Sequence, residues 1–512
     1  MKKCVILLCT GALVLSLAGC DLFLEGNGNE DEAVDDKSLM LEYQVVSVEV
    51  DETKTISVSA KKSDGSSDTF TTSCSASCVT VSPDSTSISV TGNNLGEATI
   101  EVASDSGLSS SVIVRVFDPM VLMTDGLFIQ YVDQFAWIWD DSGSGADDNG
   151  SYWDPVVPAG YYALGSIGRG NWSPPSDNAA VIVVKELEGS GALAAPTGYT
   201  LIWQDSGSGA DDNVSFWLPT PPSGYVACGV VAQQGYSEPS LDRVRCVRSD
   251  LTANATAGNW IWDDSGSGAS SDFGSWEIEC PNVQNSAGKA YLKAGTFVGT
   301  NSYSAPSSHS ALYMLNVNLP LVLDVPEATY VPTLDSADEP GQYTATYLAK
   351  MVAVPFPLVI DDAYTLHQKV STCPIYRVQR EEFYEKAYFY NNLQGSTSIF
   401  HTVTTTTGIS ETESTSYSHQ VGISITAESG CELIGGTVSV SVSYQFGYET
   451  SDSLTVFSEE TVSQQVEIAP QTVGCLWHKT TRFTMLRNVN NWETVAGSTK
   501  NVKINSFVKG EY

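Results

Sequence analysis

Basic side chains are scarce: 25 Lys and Arg stand against 60 Asp and Glu in 512 residues, a formal charge of -35. A field of that sign repels a phosphate backbone and excludes nucleic acid as a partner. Histidine is scarcer still. The five histidines, His309, His367, His401, His419 and His478, never fall at the i, i+4 spacing of a metal-binding helix. Phosphate-binding glycine loops and dinucleotide fingerprints are missing, and no cysteine spacing suits a tetrahedral zinc site. Serines between glycines occur, but none sits on the strand-to-helix elbow of a serine hydrolase. Together these absences argue for binding rather than enzymatic chemistry. A carboxylate pair among the 60 acids keeps an extracellular glycosidase as a third class.

The chain opens with Lys2 and Lys3, runs through the apolar stretch from Val5 to Leu17, and reaches Cys20. The stretch is too short for a spanning helix and has the order of a secretory signal. Leu17-Ala18-Gly19-Cys20 resembles the lipobox of bacterial lipoproteins. That resemblance implies removal of residues 1–19 and acylation of Cys20, which would tie the chain to a lipid bilayer and place it, exported, in the periplasm or at the cell surface. Losing Lys2 and Lys3 leaves 23 basic against 60 acidic groups, or -37. Residues 20–40, rich in Gly, Asn and acid, cannot bury a core and read as a flexible tether. Eight further cysteines, an even number in an exported chain, suggest disulfides, with Cys74–Cys78 and Cys431–Cys475 as candidate pairs.

Residues 41–118 show short alternating segments, Lys54 to Ala60, Ser87 to Thr91, Ala98 to Ala103 and Ser110 to Val116. Period-two patterning between turn residues predicts an antiparallel sandwich. Asn94-Leu95-Gly96-Glu97-Ala98-Thr99-Ile100, a turn feeding a strand, resembles the bacterial immunoglobulin-like domains of group two. The resemblance implies a spacer.

Residues 119–318 carry one motif three times. Its copies run Trp139-Asp140-Asp141-Ser142-Gly143-Ser144-Gly145-Ala146, Trp203-Gln204-Asp205-Ser206-Gly207-Ser208-Gly209-Ala210 and Trp262-Asp263-Asp264-Ser265-Gly266-Ser267-Gly268-Ala269. A second tryptophan, Trp153, Trp217 or Trp276, follows fourteen residues after each first one. The first tryptophans are 64 and 59 residues apart, about the length of one small sheet, so three units predict a pseudo-threefold, prism-like module. Asp141, Asp205 and Asp264 suit a turn, since aspartate bonds the backbone two residues on and the glycines permit positive φ. Alternatively, these acids with Asp147, Asp148, Asp211 and Asp212 hold calcium or bond sugar hydroxyls beside Trp139, Trp203 or Trp262 as apolar platforms. Hard oxygen ligands suit calcium, although the spacing fails the EF-hand pattern. The repeats, with Phe216-Trp217-Leu218-Pro219 and Arg245-Cys246-Val247-Arg248, resemble the vacuolar protein sorting-associated protein sixty-two family over Phe128 to Val317. That resemblance implies a fold more than a role, because a trafficking function does not fit an exported lipoprotein.

Residues 319–375 read as a connector, and Tyr376 to Tyr388 as the one stretch with helical character. Residues 376–512 form the last domain, dominated from 396 to 470 by Ser and Thr alternating with Val, Ile and Tyr. The strands around Val421, Ile423, Ile425 and around Val438, Val440, Val442 alternate strictly. Such strands have one wet and one core face in a soluble sheet, or span a bilayer when many copies close into a barrel. Tyr376 to Val502 is similar in composition to aerolysin-like and epsilon-toxin-like domains, which implies a homo-oligomer and an inserting hairpin.

The sequence therefore predicts a mostly β chain: an immunoglobulin-like sandwich, a pseudo-threefold β-repeat module and an elongated Ser/Thr-rich β-sheet domain. The expected function is glycan or membrane-receptor binding on an anchored lipoprotein, with toxin-like pore formation. The alternative is a surface adhesin or carbohydrate-binding lipoprotein that forms no pore.

Overall fold

The computed structural model describes residues 37–512 except 176–178, 281–288, 321–324, 327–330, 426–432, 435–436, 439, 442–457 and 491. The leader, Cys20, Cys431 and Val442 lie outside the described residues. Among the described residues, no helix is long and apolar enough to cross a membrane.

The N-terminal sandwich pairs a four-stranded sheet (Ser38–Leu41, Thr53–Lys61, Ser87–Gly92, Val79–Pro83) with a five-stranded one made of Tyr43–Glu49, Ser109–Phe117, Gly96–Ser104, Phe70–Ser73 and the later segment Val325–Pro326. Gly96–Ser104 buries every second residue, so Ala98, Ile100 and Val102 face one core while Glu97, Thr99 and Glu101 face water. Val46, Ile56, Ile88, Ile100, Val112 and Val114 fill that core. Cys74 and Cys78 are free thiols, so the first candidate bridge is not formed, and Cys475 is a buried free thiol.

Each repeat of the central module gives one three-stranded sheet to a first set and further strands to a second set. The first set consists of Phe135–Asp140, Ser151–Pro155 and Ile167–Arg169; then Gly198–Gln204, Val214–Thr220 and Val231–Gln234; then Thr256–Asp263, Gly274–Glu279 and Phe297–Thr300. Its three sheets share a single aromatic core. The second set includes Leu127–Val132 with Val181–Glu186, Leu193–Ala194 with Cys246–Arg248, and Lys289–Leu292 with Tyr313–Asn318. Its core, holding Ile129, Val184, Val247, Leu292 and Leu315, runs without a break into Val354, Phe356, Tyr376 and Phe483 of the C-terminal domain.

The C-terminal sheet is long. Tyr347–Pro355 pairs with Ile375–Asn391, which pairs with Val473–Arg487, and that strand in turn pairs with Lys500–Glu511. The helix expected over Tyr376 to Tyr388 is thus a strand. Its Glu, Lys, Arg and Gln suit a helix locally, but two neighbouring strands satisfy its backbone, and cross-strand cations meet its acids. Glu382 contacts Lys479 at 2.5 Å and Glu385 contacts Lys503 at 3.0 Å. The expected inserting hairpin is also different. Val421 closes a helix, Glu411–Val421, whose N-cap Ser410 accepts from Glu413 N, and Ile423–Ser424 pairs in parallel with Val440–Ser441. Gly422, at φ +79°, ends the helix where a Cβ would meet the Leu358 carbonyl at 2.7 Å. Ile423 and Ile425 are buried, and the segment Leu433–Ile434 pairs antiparallel with Thr437–Val438. The Ser/Thr pattern appears instead in a two-stranded ribbon, Ile399–Thr407 against Glu460–Ile468, exposed at most positions.

At one end of the long sheet, the Arg487 guanidinium donates to both oxygens of buried Asp361 at 3.1 and 2.9 Å, and Tyr376 adds a bond at 2.8 Å. Burial pushes the Asp361 carboxyl up, but these bonds outweigh it and hold it below its ordinary value. A depressed carboxyl stabilises the fold above its unfolded pKa of about 4 and loses that contribution as pH falls through the folded value. Acid unfolding should therefore set in below about pH 4 and be less steep in Asp361→Asn. Arg487→Met, which leaves the carboxylate buried and unpaired, should cost about 3–5 kcal/mol by urea titration at neutral pH.

Candidate ligand-binding face of the repeat module

The outer strand of each repeat carries two large side chains two residues apart, Trp137 and Trp139, Leu201 and Trp203, Trp260 and Trp262. On an unbroken strand both would face the same side. In all three repeats the pairing slips between them, and the slip turns one inward and the other out. Trp139, Trp203 and Trp262 are 0, 1 and 0% exposed, whereas Trp137, Leu201 and Trp260 are 39, 43 and 43% exposed.

The inner tryptophans gather at the module's centre, with ring centroids 5.5 Å apart for Trp139 and Trp262 and 6.1 Å for Trp203 and Trp262. Each indole N–H donates to a carbonyl in a loop of another repeat: Trp139 to Asp212 at 2.7 Å, Trp203 to Ser271 at 2.6 Å and Trp262 to Asp148 at 2.9 Å. The loops bond back in the reverse sense, Asp211 N to Ser142 O, Ser270 N to Ser206 O and Asp147 N to Ser265 O, at 2.8 to 3.0 Å. They approach closely enough that glycine is required. A Cβ on Gly143 would stand 2.7 Å from Asp211 Oδ1, and one on Gly266 2.8 Å from Asp147 Oδ1, both at positive φ. Trp139, Trp203 and Trp262 are therefore core side chains, and the expectation that they serve as ligand platforms is corrected by their burial.

Asp141, Asp205 and Asp264 are also buried. Their Oδ1 atoms accept from Gly150 N at 2.9 Å, Val214 N at 3.0 Å and Phe273 N at 2.6 Å, so each closes its own loop. Burial raises the Asp264 carboxyl, partly offset by the Phe273 N–H. Asp147, Asp148, Asp211 and Asp212 are exposed at the loop tips. Among the described residues, no three His, Cys, Asp or Glu converge as a metal site, and the loop carboxylates are not gathered for calcium.

Beside each buried aspartate stands an exposed aromatic that the motif did not reveal. Trp172, 47% exposed, donates its indole N–H to Asp141 Oδ1 at 2.5 Å. Burial, then the neighbouring Asp205 carboxylate, pushes the Tyr236 hydroxyl up to about 12. Burial and the charges of Asp264 and Asp272 do the same for Tyr303. All three sit in an aromatic-Ser-x-Pro run, Trp172-Ser173-Pro174-Pro175, Tyr236-Ser237-Glu238-Pro239 and Tyr303-Ser304-Ala305-Pro306, a signal present in the sequence. The strands leading to them lie against the outer strand of a neighbouring repeat. Gly170 abuts the Ile261 carbonyl, and Asn301 Nδ2 donates to the Ile202 carbonyl at 2.6 Å.

Removing an inner tryptophan should differ sharply from removing an outer one. Trp262→Ala should cost about 3–5 kcal/mol in denaturant unfolding, and Trp137→Ala no more than about 0.5 kcal/mol. Equal losses would contradict the inward and outward assignment.

Residues 106–340 match the family described as vacuolar protein sorting-associated protein 62, and residues 35–114 match the bacterial Ig-like domain, group 2. Among solved structures, the chain is similar to GNIP1Aa from Chromobacterium piscinae at 30% identity, over 36% of this chain and 34% of that one, with a TM-score of 0.31. It is similar to Cry35Ab1 at 13% identity, over 76% and 91%, with a TM-score of 0.28. The S-layer protein SbsC, domains 4 and 5, is 21% identical over 16% of this chain and 51% of its own, with a TM-score of 0.15. This chain thus spans about a third of GNIP1Aa and about half of the SbsC fragment. No curated protein matches.

Proposed function

We propose that the chain is an exported bacterial lipoprotein, anchored through acylated Cys20, whose repeat module binds a glycan or membrane receptor without catalysing a reaction. The observation that carries this reading is the set of exposed aromatics at equivalent positions, Trp172, Tyr236 and Tyr303, each beside a buried loop aspartate and the first hydrogen-bonded to it. An amphipathic ring held rigid at a surface offers contact area at little entropic cost. The immunoglobulin-like sandwich serves as a spacer between bilayer and module.

A second step, oligomerisation and insertion as a toxin-like pore, is favoured by the ribbon Ile399–Thr407 with Glu460–Ile468. It is Ser/Thr-rich, exposed, and carries residues 408–459 at its end. Within that segment, Tyr417, Val421, Ile423 and Ile425 are buried in the main core, so insertion requires this helix to leave its site. The competing reading is an adhesin whose C-terminal domain keeps its soluble fold.

Cys20→Ala should move the protein from the membrane fraction to the soluble one; unchanged fractionation overturns the anchor. Replacing Trp172, Tyr236 and Tyr303 together by Ala should abolish retention of the full chain on cell-derived membranes without changing its melting temperature. Dye-loaded liposomes made from those membranes separate the pore from the adhesin. Release with ring-shaped oligomers supports insertion, and retained dye without rings rejects it.

A further inference from the structure

Resting on the binding role just given, we propose that Trp137 with Asp140 and Trp260 with Asp263 form two hexose-binding subsites, and that the middle repeat lacks the third.

The two pairs have the same construction. Each indole is exposed and donates its N–H to Oδ2 of the aspartate three residues on, at 3.1 Å in both cases. The other carboxylate oxygen accepts from Ser142 N or Ser265 N, again at 3.1 Å. The ring is therefore pinned at its edge, its face is open, and the carboxylate is half-buried and fixed to backbone. A carboxylate has about four lone-pair sites, so each keeps acceptor capacity beyond these two bonds.

A charged acceptor at the rim of an apolar plate fits a pyranose. One face of the sugar presents C–H groups to the indole, while hydroxyls at its perimeter donate to the carboxylate. A quaternary ammonium fits less well, since it is drawn to the ring face and gains most inside a cage of several rings. Here the negative charge lies at the indole edge.

The middle repeat supplies the internal comparison. Leu201 stands where the others have tryptophan, Gln204 stands where they have aspartate, and Leu201 is exposed to the same degree. A slip at this position is present in all three repeats, with a second one before Trp260 in the third. The fold therefore does not need the indole–carboxylate pair. Both members are absent together, as expected of two groups that serve one ligand.

The test is calorimetric titration of the full-length protein in mild detergent with glucose-, galactose- and mannose-terminated tetrasaccharides. The expected result is two equivalents of at least one sugar. Trp137→Ala or Trp260→Ala alone should leave one equivalent, and the double variant should bind at least tenfold more weakly with an unchanged melting temperature. Leu201→Trp with Gln204→Asp should add a third equivalent. Sugar binding that survives in the double variant overturns the proposal, as does failure of all three sugars. Phosphocholine binding that the double variant loses, without sugar binding, reassigns the pairs to a cationic headgroup and also overturns it. Retention on cell-derived membranes is measured alongside. Membrane retention without sugar binding removes the subsites and keeps the binding role; loss of both removes both.

Discussion

The repeat module depends on a closed cycle of hydrogen bonds in which each buried indole donates to a neighbouring repeat's loop carbonyl. Trp139, Trp203 and Trp262 carry large apolar surface into one core, and each has a single N–H that is costly to bury unpaired. Handing that proton to another repeat satisfies all three at once. The arrangement joins the repeats, because no repeat can pair its own indole in this way. It also fixes the loops, whose glycines and aspartates are set by the close approach that the cycle demands.

From that center, order spreads outward. Loops held by their neighbours place the buried aspartates, and Asp141 in turn holds Trp172 at the surface. The one-residue slip on each outer strand does the complementary work, turning Trp137 and Trp260 to solvent while their neighbours two residues on enter the core. The second set of sheets shares its core with the C-terminal domain, where the Tyr131 and Phe356 rings meet edge to face at 4.9 Å. The Arg377 guanidinium lies 4.6 Å from the Phe117 ring and 3.5 Å from Trp492, and so joins the sandwich to the long sheet. The candidate face is thereby mounted on a body in which all three β-domains touch.

Much of this architecture was legible in the sequence. Alternation identified four of the sandwich strands, Thr53–Lys61, Ser87–Gly92, Gly96–Ser104 and Ser109–Phe117, because their burial alternates along the strand. The threefold repeat identified the module, and aspartate before Ser-Gly identified its loops. The site itself was legible only in part. Two tryptophans two residues apart read as equivalents, and nothing local says which enters the core. The aromatic-Ser-x-Pro runs were present, but each begins 31 or 39 residues after the aspartate it stands beside. The helix expected over Tyr376 to Tyr388 failed because local preference is weak beside two flanking strands and the cations they present. The hairpin expected from Val421 failed because a Ser N-cap and a glycine stop define a helix there, which its own alternation masked.

By itself the sequence determined the class of the chain, its β-domains, and the repeat and its count. All of these follow from composition and from periodicity along the chain, which are local properties. Tertiary structure alone decided which tryptophans are core and which are surface, and where the exposed aromatics come to rest. Those outcomes depend on strand register and on hydrogen bonds between segments tens to more than a hundred residues apart, and a one-residue slip in register reverses the face of every side chain beyond it.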